Sequence, residues 1–176
     1  MDWFVLRDLK RANAKLRAFD ILTDRGLTVF TPMKTLTVRS AGRILTVRRP
    51  VIPDLLFVHE PREVLDPILT DIPTLQYRYL RGHAQFTAMT VPESQMDPFI
   101  RAVTAAEESQ IRYYTPEEIT PAMIGRRIRV IGGPMDGLEG PLLSVRGSRK
   151  RRLLLEIPSL LLATIELSPD LIQLLD

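Results

Sequence analysis

The chain contains no cysteine and only two histidines, His59 and His83, among its 176 residues. Without thiols there is no disulfide framework and no thiolate metal site. The two histidines lie far apart in sequence and lack metal-ligand spacing, so each reads as a surface or satisfied core residue. No Ser-His-Asp arrangement and no Gly-x-Ser-x-Gly elbow is present. The acid pairs Glu107-Glu108 and Glu117-Glu118 fall at a helix end and in a linker, where carboxylates are normally solvated. No catalytic residues, cofactor or metal are expected, and the reading is a binding protein rather than an enzyme. Long apolar runs are missing too. The Leu-rich stretch Leu153 to Leu167 is broken by Glu156, Pro158 and Glu166, which a spanning helix of roughly 20 apolar residues would not carry. The start, Met1-Asp2-Trp3, shows no basic stretch before an apolar run, so no signal peptide is read. A cytoplasmic protein without a membrane partner is expected.

What is present is an uneven distribution of charge. Residues 1–50 carry 11 Lys/Arg against 4 Asp/Glu, a balance of +7. Residues 51–121 carry 5 against 11, or −6, and residues 122–176 carry 8 against 6, or +2. Arginine outnumbers lysine 20 to 4, which favours planar, bidentate contacts to phosphates and carboxylates. A basic first third points to nucleic acid or an acidic partner.

The apolar pattern predicts an α+β protein of two small domains. Trp3–Leu6 reads as a buried strand. A helix follows and ends at Gly26, with Ala12, Leu16, Phe19 and Thr23 forming one stripe. Leu27–Phe30 is strand-like. The near-repeats Leu36-Thr-Val-Arg39 and Leu45-Thr-Val-Arg48 flank Ser40-Ala41-Gly42 and predict a hairpin. Val51–Val58 is almost continuously apolar and reads as a central strand. A short helix at 62–70, a strand at 75–80 and a helix at 93–107 complete an antiparallel sheet with packed helices. Residues 109–121 lack periodicity and read as a linker. From Ile124 every apolar run is strand-length. The expected division is therefore 1–108, a linker at 109–121, and a β domain at 122–176.

The Gly-rich segment Gly132-Gly-Pro-Met-Asp-Gly137-Leu-Glu-Gly140 lies between two apolar runs rather than before a helix, so it is not a phosphate-binding P-loop. It resembles the KOW motif, the seed of a small SH3-like β-barrel. Trp3-Phe-Val-Leu6, Pro53-Asp-Leu-Leu-Phe-Val58 and this loop stand in the order and spacing of the NusG family of transcription elongation factors. Pro32-Met-Lys-Thr-Leu36 and the ending Ile157-Pro158…Leu167-Ser-Pro169 are most similar to its specialised RfaH-like and capsule-operon antitermination branch. The resemblance implies an N-terminal NGN-like domain and a C-terminal KOW domain. It implies binding to the clamp helices of RNA polymerase through an apolar patch at Ile52, Leu55 and Phe57. It also implies auxiliary contact with nucleic acid of the transcription complex through Lys10, Arg11, Lys15 and Arg17. The hairpin bases Lys34, Arg39, Arg43, Arg48 and Arg49 are similar in type. The KOW domain would recruit a second partner, such as the ribosome or a termination factor, with Arg146, Arg149, Lys150, Arg151 and Arg152 displayed at a turn. The branch's Thr-rich polymerase contact and its DNA-reading Thr-Arg pair are replaced here by Asp66-Pro-Ile-Leu69 and Ile72-Pro73. The alternative reading is a ribosome-associated or RNA-binding KOW protein.

Overall fold

The computed structural model describes residues 1–10, 16–82 and 86–175. It is a mixed α+β protein of two compact units, residues 1–93 and 94–176. The helix predicted at 93–107, assigned from sequence to the first domain, groups from Ser94 onward with the second unit.

In the first unit, strand β1 (Trp3–Asp8) is followed by helix α1 (Ala18–Asp24), β2 (Val29–Phe30), the hairpin β3 (Met33–Ser40) and β4 (Arg43–Pro50), and β5 (Leu55–Val58). Helix α2 (Arg62–Asp71) then leads to β6 (Leu75–Tyr77) and β7 (Thr90–Val91). The sheet has the order β2-β5-β1-β6, with β7 also paired to β1 and all pairs antiparallel. Helix α1 is shorter than the sequence pattern predicts, and Ala12 of the expected stripe lies outside the described residues. Its buried residues are Ala18 and Leu22, with Phe19 packed beside them, whereas Leu16 is exposed. The helix stops as expected at Gly26: Gly26 N–H donates to Thr23 O (2.9 Å) and Leu27 N–H to Leu22 O (3.1 Å), a Schellman closure.

Strand β5 begins later than the apolar run does. Leu55 N–H donates to Ile52 O at 3.2 Å, closing a turn with Pro53 in the second position, where its fixed φ fits. The buried Thr31 hydroxyl donates to Leu55 O (2.9 Å) and marks the start of the strand. All four residues of β5 are buried. Leu56 and Val58 join Leu6, Leu22, Leu65 and Leu75 in the cluster under α1 and α2. Leu55 and Phe57 point to the opposite face, where Phe57 stands across from Val5 and Phe30.

The hairpin is a separate two-stranded sheet. Its two-residue turn, Ala41-Gly42, has positive φ at both positions (49° and 75°), the geometry that matches the twist of paired strands. That turn sets the register: Leu36 pairs with Val47 and Val38 with Leu45. These four apolar residues share one face with Lys34 and Arg49, while Arg39 and Arg48 take the other.

The second unit contains α3 (Glu93–Ala105, from its second residue), β8 (Ile111–Tyr114), β9 (Ile124–Val130), β10 (Glu139–Leu143), β11 (Arg151–Ile157), β12 (Leu161–Leu167) and β13 (Ile172–Leu174). Its strands form one antiparallel sheet of six, in the order β13-β9-β10-β11-β12-β8. The expected linker is therefore partly sheet: Ile111 to Tyr114 pair with Ile165 to Leu162. The residues after β8 fold over the sheet, where Tyr114, Ile119 and Met123 pack on Leu143, Leu154 and Leu162. This explains why β11 and β12 are apolar on both faces. The Gly-rich loop joins β9 to β10, antiparallel neighbours, as the sequence predicts. Gly137 takes φ +84° and donates to Val130 O (2.8 Å), which closes the loop. Gly140 serves differently: a Cβ there would lie 2.7 Å from Leu154 O, so only glycine lets β10 approach β11 this closely.

Candidate functional site

The basic residues singled out in the first unit lie where β1 gives way to α1. Asp8 organises this junction. It is 8% exposed, and its Oδ1 accepts from Lys10 N–H (3.0 Å) while its Oδ2 accepts from Ala18 N–H (2.8 Å). One carboxylate thus ties the end of the strand to the first turn of the helix and satisfies a donor the helix leaves open. Lys10 Nζ donates to Leu16 O (3.0 Å), and Arg17 Nε lies 3.6 Å from Asp20 Oδ2. Lys10 and Arg17 line one cleft of about 190 Å³. Arg11 and Lys15 lie outside the described residues.

The same cleft is walled by the base of the hairpin, with Lys34 and Arg49 facing Lys10 and Arg17. The sequence names the hairpin bases as a group but does not separate these two from Arg39 and Arg48. The signal that separates them is parity. Once the turn is placed at Ala41-Gly42, Lys34 and Arg49 fall on one face and Arg39 and Arg48 on the other.

The apolar patch is different from the expected one. Leu55 and Phe57, expected on an open surface, are 3% and 0% exposed. The reason is the central position of β5, flanked by β2 and β1, with both of its faces covered. Ile52 sits on the turn before the strand and is half-buried. The exposed apolar residues nearby belong to the hairpin: Leu36, Ile44 and Leu45 are 36%, 67% and 45% exposed.

No protein-family model matches the chain, and none of the curated proteins compared with it matches it.

Two further side-chain clusters lie elsewhere in the first unit. His59 stacks on Trp3 at 4.8 Å, and its Nε2 contacts Glu93 and Met1 O, so it is engaged in packing. No group of three or more metal-ligating side chains occurs among the described residues. On the other side of the sheet, Tyr77 Oη donates to Asp66 Oδ1 (2.7 Å), with Arg62 over the Tyr77 ring and 3.5 Å from Asp66. Burial pushes the Tyr77 phenol well above its ordinary pKa, and the hydrogen bond to Asp66 adds to the shift.

In the second unit the basic cluster divides. Arg146, Arg149, Lys150 and Arg151 are exposed around the β10–β11 turn. Arg152, expected among them, is only 2% exposed. It alternates inward on β11, and its guanidinium reaches Gln110 O (3.2 Å), Thr164 Oγ1 (3.4 Å) and Glu166 (3.6 Å). Arg101 of α3 donates to Pro134 O (3.1 Å) and Asp136 O (2.7 Å), gripping the Gly-rich loop. Among the described residues no helix is long and apolar enough to cross a membrane.

Proposed function

We propose that the chain is a NusG-type transcription elongation and antitermination factor, a binding protein that acts on RNA polymerase without catalysis of its own. The observation that carries this reading is the combination of two features in one chain. An antiparallel sheet of order β2-β5-β1-β6 has a basic hairpin inserted between β2 and β5. A separate antiparallel β unit follows, seeded by the Gly-rich β9–β10 loop. An antiparallel sheet with packed helices followed by a β unit is the order the resemblance implies, although the six strands of the second unit run in an open order, β13-β9-β10-β11-β12-β8, where a small barrel was expected. In this reading the first unit is the NGN-like domain and the second corresponds to the KOW domain.

The burial of Leu55 and Phe57 moves the proposed polymerase contact. It rests on Ile52 and the exposed apolar residues of the hairpin, which offer surface without disturbing the sheet. Lys10 and Arg17 supply auxiliary phosphate contact, weak alone and sufficient beside a protein tether. The exposed arginines of the β10–β11 turn suit an RNA or ribosomal partner for the second unit.

The test is co-purification with the cognate RNA polymerase. Wild-type protein binds; Ile52→Asp and Leu45→Asp weaken binding while circular dichroism and melting stay near wild type. Phe57→Asp is expected to unfold the first unit, since it places a charge in a fully buried site.

A further inference from the structure

We propose that the cleft between the end of β1 and the base of the hairpin binds the phosphate of a nucleotide, either free or at the end of a single strand. The site deepens the auxiliary phosphate contact proposed above for Lys10 and Arg17, and its test is independent of any binding to polymerase.

Four cations, Lys10, Arg17, Lys34 and Arg49, line the cleft against one carboxylate, Asp8. That carboxylate is already spent on two backbone N–H groups. Lys34 and Arg49 are directly opposed across the hairpin, an arrangement that repels and costs stability without a counter-charge. Neither has a carboxylate within 4 Å among the described residues. The intervening segment 11–15 contains Arg11 and Lys15 and no acid, so it has no counter-charge to offer. Arg17 also lines the cleft, with its Nε 3.6 Å from Asp20 Oδ2, so one edge of its guanidinium is already engaged.

The shape and chemistry select the ligand. A phosphate offers several charged acceptor oxygens in a tetrahedral array, which suits two lysines and two arginines arriving from different elements. Leu36, Pro50 and Pro53 add an apolar wall on which a base or sugar can rest. At about 190 Å³ the cleft falls below the roughly 300–1,000 Å³ of sites for drug-sized ligands, so it takes the phosphate group, with the sugar and base left against its apolar rim.

The test uses isotope-labelled full-length protein titrated with uridine monophosphate, uridine and inorganic phosphate, followed by amide NMR shifts. In parallel, anisotropy compares one short RNA strand bearing a 5′-phosphate with the same strand bearing a 5′-hydroxyl. Uridine monophosphate should shift the amides of residues 34 and 49 while uridine does not. Lys34→Gln and Arg49→Gln should each weaken that binding about tenfold or more. Both variants should melt at or above wild type, because each relieves the opposed like charges. Arg39→Gln, on the other hairpin face, should bind as wild type. Binding of the free mononucleotide identifies a free ligand; preference for the 5′-phosphorylated strand without it identifies a strand end. The proposal is overturned if uridine and its phosphate behave alike and the two strands bind equally. It is also overturned if Arg39→Gln loses as much as Arg49→Gln, which would indicate only diffuse attraction.

Discussion

The guanidinium of Arg152 lies 3.2 Å from the carbonyl oxygen of Gln110, a residue 42 positions earlier in the chain. The contact ties the entry to β8 to β11, and Thr164 and Glu166 also lie within reach of the guanidinium. Removing a buried charged donor strands its acceptors. Arg152→Ala should lower stability in denaturant by about 1.5–3 kcal/mol, the range for hydrogen bonds to charged groups. Hydrogen exchange should show faster exchange at residues 112–114. Unchanged exchange there would mean that β8 is held by its ladder with β12 alone.

Gly140 and Gly133 give a paired prediction in the same loop region. Gly140→Ala must displace the backbone of β11, at an expected cost of about 1–3 kcal/mol by overpacking. Gly133 has φ +71° and open space around its Cβ position. Its alanine variant should cost only about 1–2 kcal/mol of backbone strain and leave the sheet unaltered. Near-UV circular dichroism separates the two, since only Gly140→Ala should disturb side-chain packing.

Tyr77 makes the first unit sensitive to alkali. Its phenol pKa is raised in the folded chain by burial and then by Asp66. The folded state therefore holds the proton more tightly, so this contribution is complete below the unfolded value of about 10 and declines as pH rises above it. Unfolding free energy measured from pH 9 upward should fall less steeply for Tyr77→Phe than for wild type. Parallel slopes would show that other groups govern alkaline unfolding.

The residues that announced their structure are those whose local rules agree with the final packing. The β1 run, the Gly26 stop, the hairpin around Ala41-Gly42 and the helix from Arg62 all have a pattern and a terminator of their own. Strand β8 does not. Ile111-Arg-Tyr-Tyr114 has weak alternation, and only pairing with β12 makes it a strand. The same holds for Arg152, whose neighbours in sequence are exposed and which is turned inward by the strand alternation. Phe57 was legible as part of an apolar strand, but whether such a strand is covered on one face or two depends on the rest of the fold. The cleft was half legible: Lys10 and Arg17 stood out by charge, while Lys34 and Arg49 required the register of the hairpin.

The central claim is that this protein acts on transcribing RNA polymerase, and the direct measurement is a single-round pausing assay with the cognate enzyme on a template carrying a strong pause. Added protein should shorten the pause and raise read-through at a terminator, and Ile52→Asp should abolish both effects while remaining folded. Unchanged pause lifetimes at saturating protein, together with tight binding to ribosomes or free RNA, would contradict the account.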